Sequence, residues 1–196
     1  MLYFVTNRKL IKKGFFDVIE KAVNGGVDFI ILREKDLEYK ELYSIASEIK
    51  NIIKDKKTRL IINGNIDVVK NLNLDGYHTG FNEFVRESIT WNGLVGVSIH
   101  SLEEAIIAEK KGADYLLAGH VFKTDCKKGL TPRGVEFIKE LTRKVKIPVI
   151  AIGGIKPYNV KKVISAGAYG IAVMSSIMMD ENPKDLVKEY IYCIRS

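Results

Sequence analysis

The stretch EKKGADYLLAG, Glu109 to Gly119, joins a segment of helical character to a short apolar run through one glycine. Glycine often ends a helix, because it readily takes the left-handed backbone conformation found there. Three other stretches repeat this arrangement of a glycine-bearing helix end before a strand: NGGVDFIIL from Asn24, LNLDGYHTG from Leu72 and SAGAYGIAVMS from Ser165. The repeat predicts a chain built from regular units of helix and strand.

Eight short runs with the character of strands recur along the chain, each followed by helical periodicity or a short turn. They are LYFVT, VDFIILRE, TRLIING, DGYHTG, LVGVSIH, ADYLLAGHVF, IPVIAIGG and YGIAVMSS. Several are apolar throughout, which indicates strands buried on both faces in a parallel sheet covered by helices. About eight such units predict one compact domain over residues 1–196, a TIM (β/α)8 barrel of the α/β class. A doubly wound open sheet is the alternative, although no GxGxxG follows the first strand. The clearest helices are predicted at 15–24, 38–53, 101–111, 134–145, 157–166 and 183–194.

Composition narrows the class of protein. The 196 residues, 46% hydrophobic and 28% charged, are typical of one globular domain, and no apolar run approaches the roughly 18 residues of a membrane span. Cys126 and Cys193 have neither metal-ligand spacing nor a disulfide pattern, which fits a reducing cytoplasm. The net charge of +7 comes from scattered lysines without arginine clusters or interleaved aromatics. We therefore expect neither nucleic acid nor a membrane as a partner.

In parallel (β/α)8 barrels the active site lies at the carboxyl ends of the strands. Two segments there, IGGI at Ile152 to Ile155 and MSSI at Met174 to Ile177, follow the last two predicted strands. Backbone N–H groups and serine hydroxyls at this place form the usual phosphate site of such barrels, although a glycine pair alone can also be a tight turn. The predicted phosphate ligands are Gly153, Gly154, Ser175 and Ser176.

Further polar residues follow the other strands. LREK, Leu32 to Lys35, brings Arg33 and Lys35 to a strand end with Glu34 between them, expected to orient Arg33. Arg33 and Lys35 can bind an acidic group of a ligand. Alternatively, the three charged residues form an ion-pair cluster on the surface. The side chain of Asn63 can donate or accept a hydrogen bond to a ligand without changing the local charge. Alternatively, Asn63 is only a turn residue. The remaining candidates for substrate binding are Ser98, Thr124 and Lys127.

His120 ends the wholly apolar strand YLLAG, and the next loop brings Thr124, Lys127 and Lys128 to the same end of the barrel. Ammonium groups nearby favour a neutral imidazole, which can take a proton at one place and return it at another. His120 is therefore the candidate acid–base residue, with a histidine merely packed at the rim as the alternative. His78 is expected only to form hydrogen bonds at its strand end.

The segments GHVFKTDCKKGLTPRG, GVSIHSLEEA, IPVIAIGG and GIAVMSS, together with LREK, resemble the thiamine phosphate synthase superfamily over nearly the whole chain. The histidine in GHVF, where the synthases usually carry proline, favours the thiazole tautomerase (TenI-type) branch. This resemblance implies a cytoplasmic isomerase that converts a phosphorylated thiazole carboxylate to its aromatic tautomer, with His120 as the catalytic proton carrier. Association into a homo-oligomer is a weaker expectation.

The resemblance also raises alternatives and a prediction about metal. Synthases of this kind hold magnesium with aspartates at the positions that Gly64 and Glu83 occupy here, so we expect no required metal and no cofactor. A glutamine that often precedes LREK is replaced by Ile31. The alternatives are a thiamine phosphate synthase and a non-catalytic regulatory protein that binds a phosphorylated ligand.

Overall fold

The computed structural model of the chain describes residues 1–11, 14–87, 89, 91–127 and 129–196. Eight parallel strands pair in sequence order, and β1 pairs with β8 to close the barrel, which confirms the predicted TIM (β/α)8 fold. The strands are β1 (Leu2–Val5), β2 (Phe29–Leu32), β3 (Arg59–Asn63), β4 (Gly76–Gly80), β5 (Leu94–Ile99), β6 (Tyr115–Gly119), β7 (Val149–Ile152) and β8 (Gly170–Val173). All eight lie within the runs that the sequence marked.

Helices cover the outside of the barrel. They are α1 (Phe15–Gly25), α2 (Tyr39–Ile52), α3 (Ile66–Leu72), α4 (Phe81–Arg86), α5 (Leu102–Lys110), α6 (Gly134–Lys144), α7 (Val160–Ser165), α8 (Ser175–Met178) and α9 (Pro183–Arg195). The six predicted helices correspond to α1, α2, α5, α6, α7 and α9, except that residues 157–159 form a 3₁₀ turn before α7. The helices α3, α4 and α8 were not predicted, because their seven, six and four residues are too few to show helical periodicity.

The repeated helix ends hold the amino-terminal rim of the barrel together. Gly26, Gly112 and Gly167 have positive φ, as predicted, while Asn73 takes this place in LNLDG. Three of these four residues, Gly26, Asn73 and Gly112, are followed two positions later by an aspartate. The carboxylate of each aspartate accepts a hydrogen bond from the backbone N–H of the first or second residue of the preceding strand. The pairs are Asp28 with Leu2 (2.7 Å), Asp75 with Leu60 (3.0 Å) and Asp114 with Val95 (2.7 Å). The repeat therefore links neighbouring strands through hydrogen bonds from backbone N–H groups to aspartate side chains.

The barrel interior is filled by alternate residues of the strands. Its buried apolar side chains are Tyr3, Val5, Phe29, Ile31, Ile61, Tyr115, Leu117, Ile150 and Ala172. Tyr3 stacks on Phe29 with ring centroids 4.4 Å apart. Gly96 leaves room for the Tyr115 ring, because a Cβ atom at residue 96 would lie only 2.0 Å from the Tyr115 Cζ atom. The interior is thus a packed core, and ligand space remains at the rims.

Within the described part of the chain, no helix combines the length and the apolar character needed to cross a membrane. The barrel brings the carboxyl ends of all eight strands to one rim, and the predicted site residues follow those ends. This carboxyl-terminal rim, called the mouth below, is where the candidate site lies.

Candidate functional site

A buried histidine links three strands at the base of the mouth. His78 is 2% exposed; its Nδ1 atom lies 2.9 Å from the Tyr115 hydroxyl and its Nε2 atom 2.8 Å from Ser98 Oγ. Burial, with a smaller contribution from the Arg33 guanidinium, lowers the pKa of His78 from 6.5 to about 3. The imidazole is therefore neutral at physiological pH.

The donor and the acceptor of each hydrogen bond in the series Tyr115, His78 and Ser98 can be assigned. Burial raises the pKa of Tyr115 well above its usual value, so the phenol keeps its proton. Its one acceptor among the described residues is His78 Nδ1. A buried hydroxyl without a partner is costly, so Tyr115 donates to Nδ1 and the Nε2–H group donates to Ser98 Oγ. The Ser98 hydroxyl hydrogen is then free to point toward an acceptor at the mouth.

Ser98 was predicted as a binding residue, whereas the part played by Tyr115 was missed. Strand alternation could have found it, because residues 78, 96, 98 and 115 lie on inward positions of neighbouring strands. Asn63, at the end of β3, donates from Nδ2 to the His78 carbonyl oxygen at 3.0 Å. Its Oδ1 atom is left for another donor. The structure therefore brings Asn63, Ser98 and His78 together at the mouth.

The LREK segment is organised differently from the prediction. Glu34 does not orient Arg33 through an ion pair: its buried carboxylate accepts from the Thr6 hydroxyl at 2.8 Å and forms an ion pair with Arg8 at 3.2 Å. Arg33 is half-buried, and neither its side chain nor that of Lys35 forms an ion pair with another described residue. Strand alternation turns Arg33 and Glu34 in opposite directions, so the carboxylate reaches the end of β1 instead.

The loop after β6 packs on the turn after β7. His120 is half-buried, and its Nε2 atom lies 3.3 Å from the Leu130 carbonyl oxygen of the same loop. Gly153 and Gly154 have φ angles of 100° and 67°. A Cβ atom at residue 154 would lie 2.5 Å from the Lys123 carbonyl oxygen, and one at residue 153 would lie 2.3 Å from His120 Cβ. The glycine pair therefore permits close contact between two backbones at the mouth.

Two serines begin α8 directly after β8, on the same rim as the glycine pair. Ser175 and Ser176 are both half-buried, and the N–H groups of a first helical turn have no acceptor within the helix. The Ser176 hydroxyl lies beside Tyr190, whose pKa is raised to about 12 by burial and lowered in part by Ser176. Tyr190 itself donates to the Ile155 carbonyl oxygen at 3.0 Å. The α9 helix thus supports both predicted phosphate loops from outside the barrel.

The remaining predicted residues lie in the loop after β6. The Thr124 hydroxyl oxygen lies 3.4 Å from the Cys126 backbone N–H, and the Thr124 carbonyl oxygen accepts from the Lys127 N–H at 3.2 Å. Lys127 and Cys126 are exposed, while Lys128 lies outside the described residues. The loop presents its polar groups to solvent at the mouth.

The described side chains at the mouth do not form a site in which protein ligands alone could hold a metal ion. Gly64 offers no side chain, and Glu83 is exposed with Oε2 folded back toward Gly80. Across residues 1–11, 14–87, 89, 91–127 and 129–196, no three His, Cys, Asp or Glu side chains are grouped so that they could hold a metal. The expectation of no required metal remains a prediction.

A cavity of about 450 Å³ lies away from the mouth, beside the start of β5. Phe84, Trp91 and Asp114 are among its lining residues. Asp114 belongs to the amino-terminal rim, where its carboxylate is bonded to Val95. This cavity is therefore separate from the candidate site.

Comparison with known proteins identifies the family. The family model described as thiamine monophosphate synthase matches residues 2–177. Thiamine-phosphate synthase of Clostridium acetobutylicum is 40% identical over 189 residues, covering 94% of this chain and 90% of the relative. That of Pyrococcus abyssi is 40% identical over 191 residues, covering 96% and 91%. The solved structure of thiamine phosphate pyrophosphorylase from Pyrococcus furiosus has a TM-score of 0.88 and 34% identity, covering 99% of this chain and 95% of the other.

These relatives correct two predictions. The assignment to the thiazole tautomerases, and with it the isomerase class, was wrong, because the similar proteins are thiamine-phosphate synthases, which are transferases. The assignment depended on His120, one residue at a strand end, whose ring is hydrogen-bonded within its own loop. Similarity along nearly the whole length outweighs a single position. The chain belongs to the thiamine monophosphate synthase family.

Proposed function

We propose that the protein is a thiamine-phosphate synthase, which joins a pyrimidine diphosphate to a thiazole phosphate and releases diphosphate. The observation that carries this proposal is the identity of about 40% with curated thiamine-phosphate synthases over more than nine tenths of the chain. The geometry of the mouth supports it, because two anionic groups need two sets of donors at one rim.

The departing diphosphate is the group whose negative charge grows during the reaction. Donors already in place where charge develops lower the barrier, because they need no reorganisation. Arg33 is suited to stabilising that charge, because it is half-buried, close to His78, and without an ion pair to any described residue. Ser98 adds a hydroxyl hydrogen, and Lys35 and Lys127 add exposed positive charges. We assign these four residues to the diphosphate.

The phosphate of the thiazole substrate is assigned to the other side of the mouth. Gly153 and Gly154 form the turn after β7, and Ser175 and Ser176 begin the helix after β8. Backbone N–H groups and hydroxyls bind a phosphate dianion without bringing a positive charge close to the reacting carbon. This arrangement separates the two anions by placing them on different strands of the barrel.

Asn63, Thr124 and His120 complete the assignment. Asn63 keeps a free amide oxygen at the end of β3 that can accept from a substrate amine. The Thr124 hydroxyl hydrogen is available to a substrate oxygen, since the oxygen itself faces Cys126 N–H. His120 holds its loop through Leu130, and the proton-carrier role predicted for it lapses with the tautomerase assignment.

The direct test is to mix the protein with both substrates and quantify thiamine phosphate and diphosphate by chromatography. We expect the two products in equal amounts. Parallel reactions contain Mg²⁺ or a chelator, because Mg²⁺ usually binds through substrate phosphates and only one or two carboxylates. A strict requirement for Mg²⁺ would contradict the prediction that no metal is needed.

The site assignment is tested with Ser98→Ala, and Ser165→Ala, at the end of α7, is the matched control. Loss of one donor to developing charge is expected to lower kcat by about tenfold to a hundredfold, with a smaller change in KM. The control is expected to keep the wild-type rate. A wild-type protein that binds both substrates and forms no product would refute the synthase proposal and favour a non-catalytic ligand sensor.

A further inference from the structure

A cluster of charged and polar side chains connects the end of β1 to the end of β2, with buried residues at its centre and partly exposed arginine and aspartate side chains at its edge. It consists of Thr6, Arg8, Glu34 and Asp36 and is called the Glu34 cluster here. The Glu34 carboxylate accepts from the Thr6 hydroxyl at 2.8 Å, from the Arg8 backbone N–H at 3.0 and 3.1 Å, and from Arg8 Nη1 at 3.2 Å. Only 1% of its side chain is exposed. A buried carboxylate of this kind needs a compensating positive charge.

Arg8 supplies that charge and is itself fixed. Its guanidinium makes two further hydrogen bonds to Asp36, at 2.7 and 2.8 Å, and Lys9 also pairs with Asp36 at 3.1 Å. The hydrogen bonds from Arg8 and Lys9 hold the pKa of Asp36 below its usual value. Three of the five N–H groups of the Arg8 guanidinium thus bind carboxylates of the protein, and its charge is compensated by Glu34 and Asp36.

Arg33 lies next to Glu34 in the chain and yet has no ion pair with any described residue. Its backbone N–H donates to Thr6 Oγ1 at 3.1 Å, so the Glu34 cluster fixes its main chain. Its side chain is half-buried and lies near enough to His78 to help lower the pKa of that imidazole. Arg33 alternates with Phe29 and Ile31, which point into the barrel, so its side chain lies on the inward side at the mouth, where no described residue forms an ion pair with it.

We propose that Arg8 is a positioning residue, which neutralises Glu34 and so keeps the end of β2 in the place that directs Arg33 to the diphosphate group at the mouth. This inference rests on the proposed function for the identity of the anion. If Arg8 were removed, Glu34 would be a buried anion without a compensating charge. Its carboxylate would move toward water, and the end of β2, which carries Arg33 and is bonded to Thr6, would move with it.

The test compares Arg8→Met with the double variant Arg8→Met/Glu34→Gln, using calorimetric titration with inorganic diphosphate. We expect the single variant to bind diphosphate at least tenfold more weakly than the wild type. The double variant has no buried anion that would displace the end of β2, so its affinity is expected to return to within about threefold of the wild type. Direct contact of Arg8 with diphosphate predicts no such rescue.

Two further variants keep the result interpretable. Arg86→Met removes an exposed arginine paired with Glu87 and is expected to leave diphosphate affinity unchanged. If Arg8→Met does not fold, Glu34→Gln alone is compared with the double variant. Equal affinities in that pair support the proposal, whereas a further loss of tenfold on removing Arg8 would overturn it. An Arg8→Met protein that folds and binds diphosphate like the wild type overturns it as well.

The kinetic readout separates this inference from the proposed function. In Arg8→Met we expect the KM for the pyrimidine diphosphate to rise and kcat to fall, so that kcat/KM drops at least tenfold, because Arg33 both binds the diphosphate and stabilises its growing charge. Both constants are expected to recover in the double variant. If the wild type forms no thiamine phosphate but the pattern of diphosphate binding holds, the proposed function fails and the role of Arg8 stands. If the wild type is active and Arg8→Met has unchanged KM and affinity, the role of Arg8 is refuted.

Discussion

Acidification is expected to destabilise the protein through one residue, His78. Its pKa is about 3 in the folded protein and about 6.5 in the unfolded chain. Between these pH values the imidazole is protonated in the unfolded state and neutral in the folded state. The stabilisation that comes from the neutral imidazole is complete above about pH 6.5 and is lost as the pH falls toward 3. Each pH unit in this window costs about 1.4 kcal/mol. Between about pH 7 and pH 4.5, we therefore expect the free energy of unfolding to fall by about 2.5 kcal/mol.

The assay is urea unfolding of the wild type and of His78→Gln at both pH values, since the glutamine side chain at position 78 does not titrate. His78→Gln breaks the contacts with Tyr115 and Ser98, so the comparison uses the change with pH and not the value at either pH. The wild type is expected to lose about 2.5 kcal/mol more than the variant. Asp36, whose pKa is lowered, contributes mainly below pH 4 and does not interfere in this window.

The control is His120→Gln, which removes a half-buried histidine at the mouth. It is expected to retain the pH dependence of the wild type. If His78→Gln loses as much stability on acidification as the wild type, His78 is not the buried neutral group described here. The proton assignment along Tyr115, His78 and Ser98 would then be withdrawn.

Two glycines lead to further predictions. Gly96→Ala places a Cβ atom 2.0 Å from Tyr115 Cζ, and we expect it to lower the free energy of unfolding by about 3 kcal/mol in denaturant titrations. A loss of less than about 0.5 kcal/mol would show that the Tyr115 ring can move aside. Gly154→Ala combines a φ of 67° with a contact of 2.5 Å to the Lys123 carbonyl oxygen, and it is expected to cost about 2 kcal/mol and to weaken binding of inorganic phosphate. Wild-type stability and affinity in this variant would contradict the close packing of the two loops.

Local sequence signals determined the architecture. Short runs, several of them apolar throughout, marked the eight strands, and Gly26, Gly112 and Gly167 marked helix ends, because both features depend on residues near each other in the chain. The start of α5 is equally local, because the Ser101 hydroxyl caps the helix by accepting from the Glu104 N–H at 3.1 Å. The short helix α3 escaped prediction, although Asn65 caps it through its side chain at 3.1 Å. Seven residues do not complete enough turns for a periodic pattern to stand out.

The sequence also placed Arg33, Asn63 and Ser98 at strand ends, and parallel pairing brings such residues to one rim. It could not assign their partners, and it gave the wrong enzyme by relying on His120. Glu34 was expected to serve its neighbour Arg33, but it is paired with Arg8, 26 residues away along the chain. Tyr115 was not recognised as the partner of His78, from which it is 37 residues distant.

Residues close together in the chain were thus enough to predict the succession of strands and helices and the rim at which polar groups gather, since burial and backbone conformation are encoded within a few residues. The folded structure was needed to show that Arg8 neutralises Glu34, that His78 is buried and neutral, and that Arg33 has no ion pair with any described residue. The charge state and hydrogen bonds of a buried group depend on the atoms that surround it in space. Closure of the barrel supplies those atoms from distant strands.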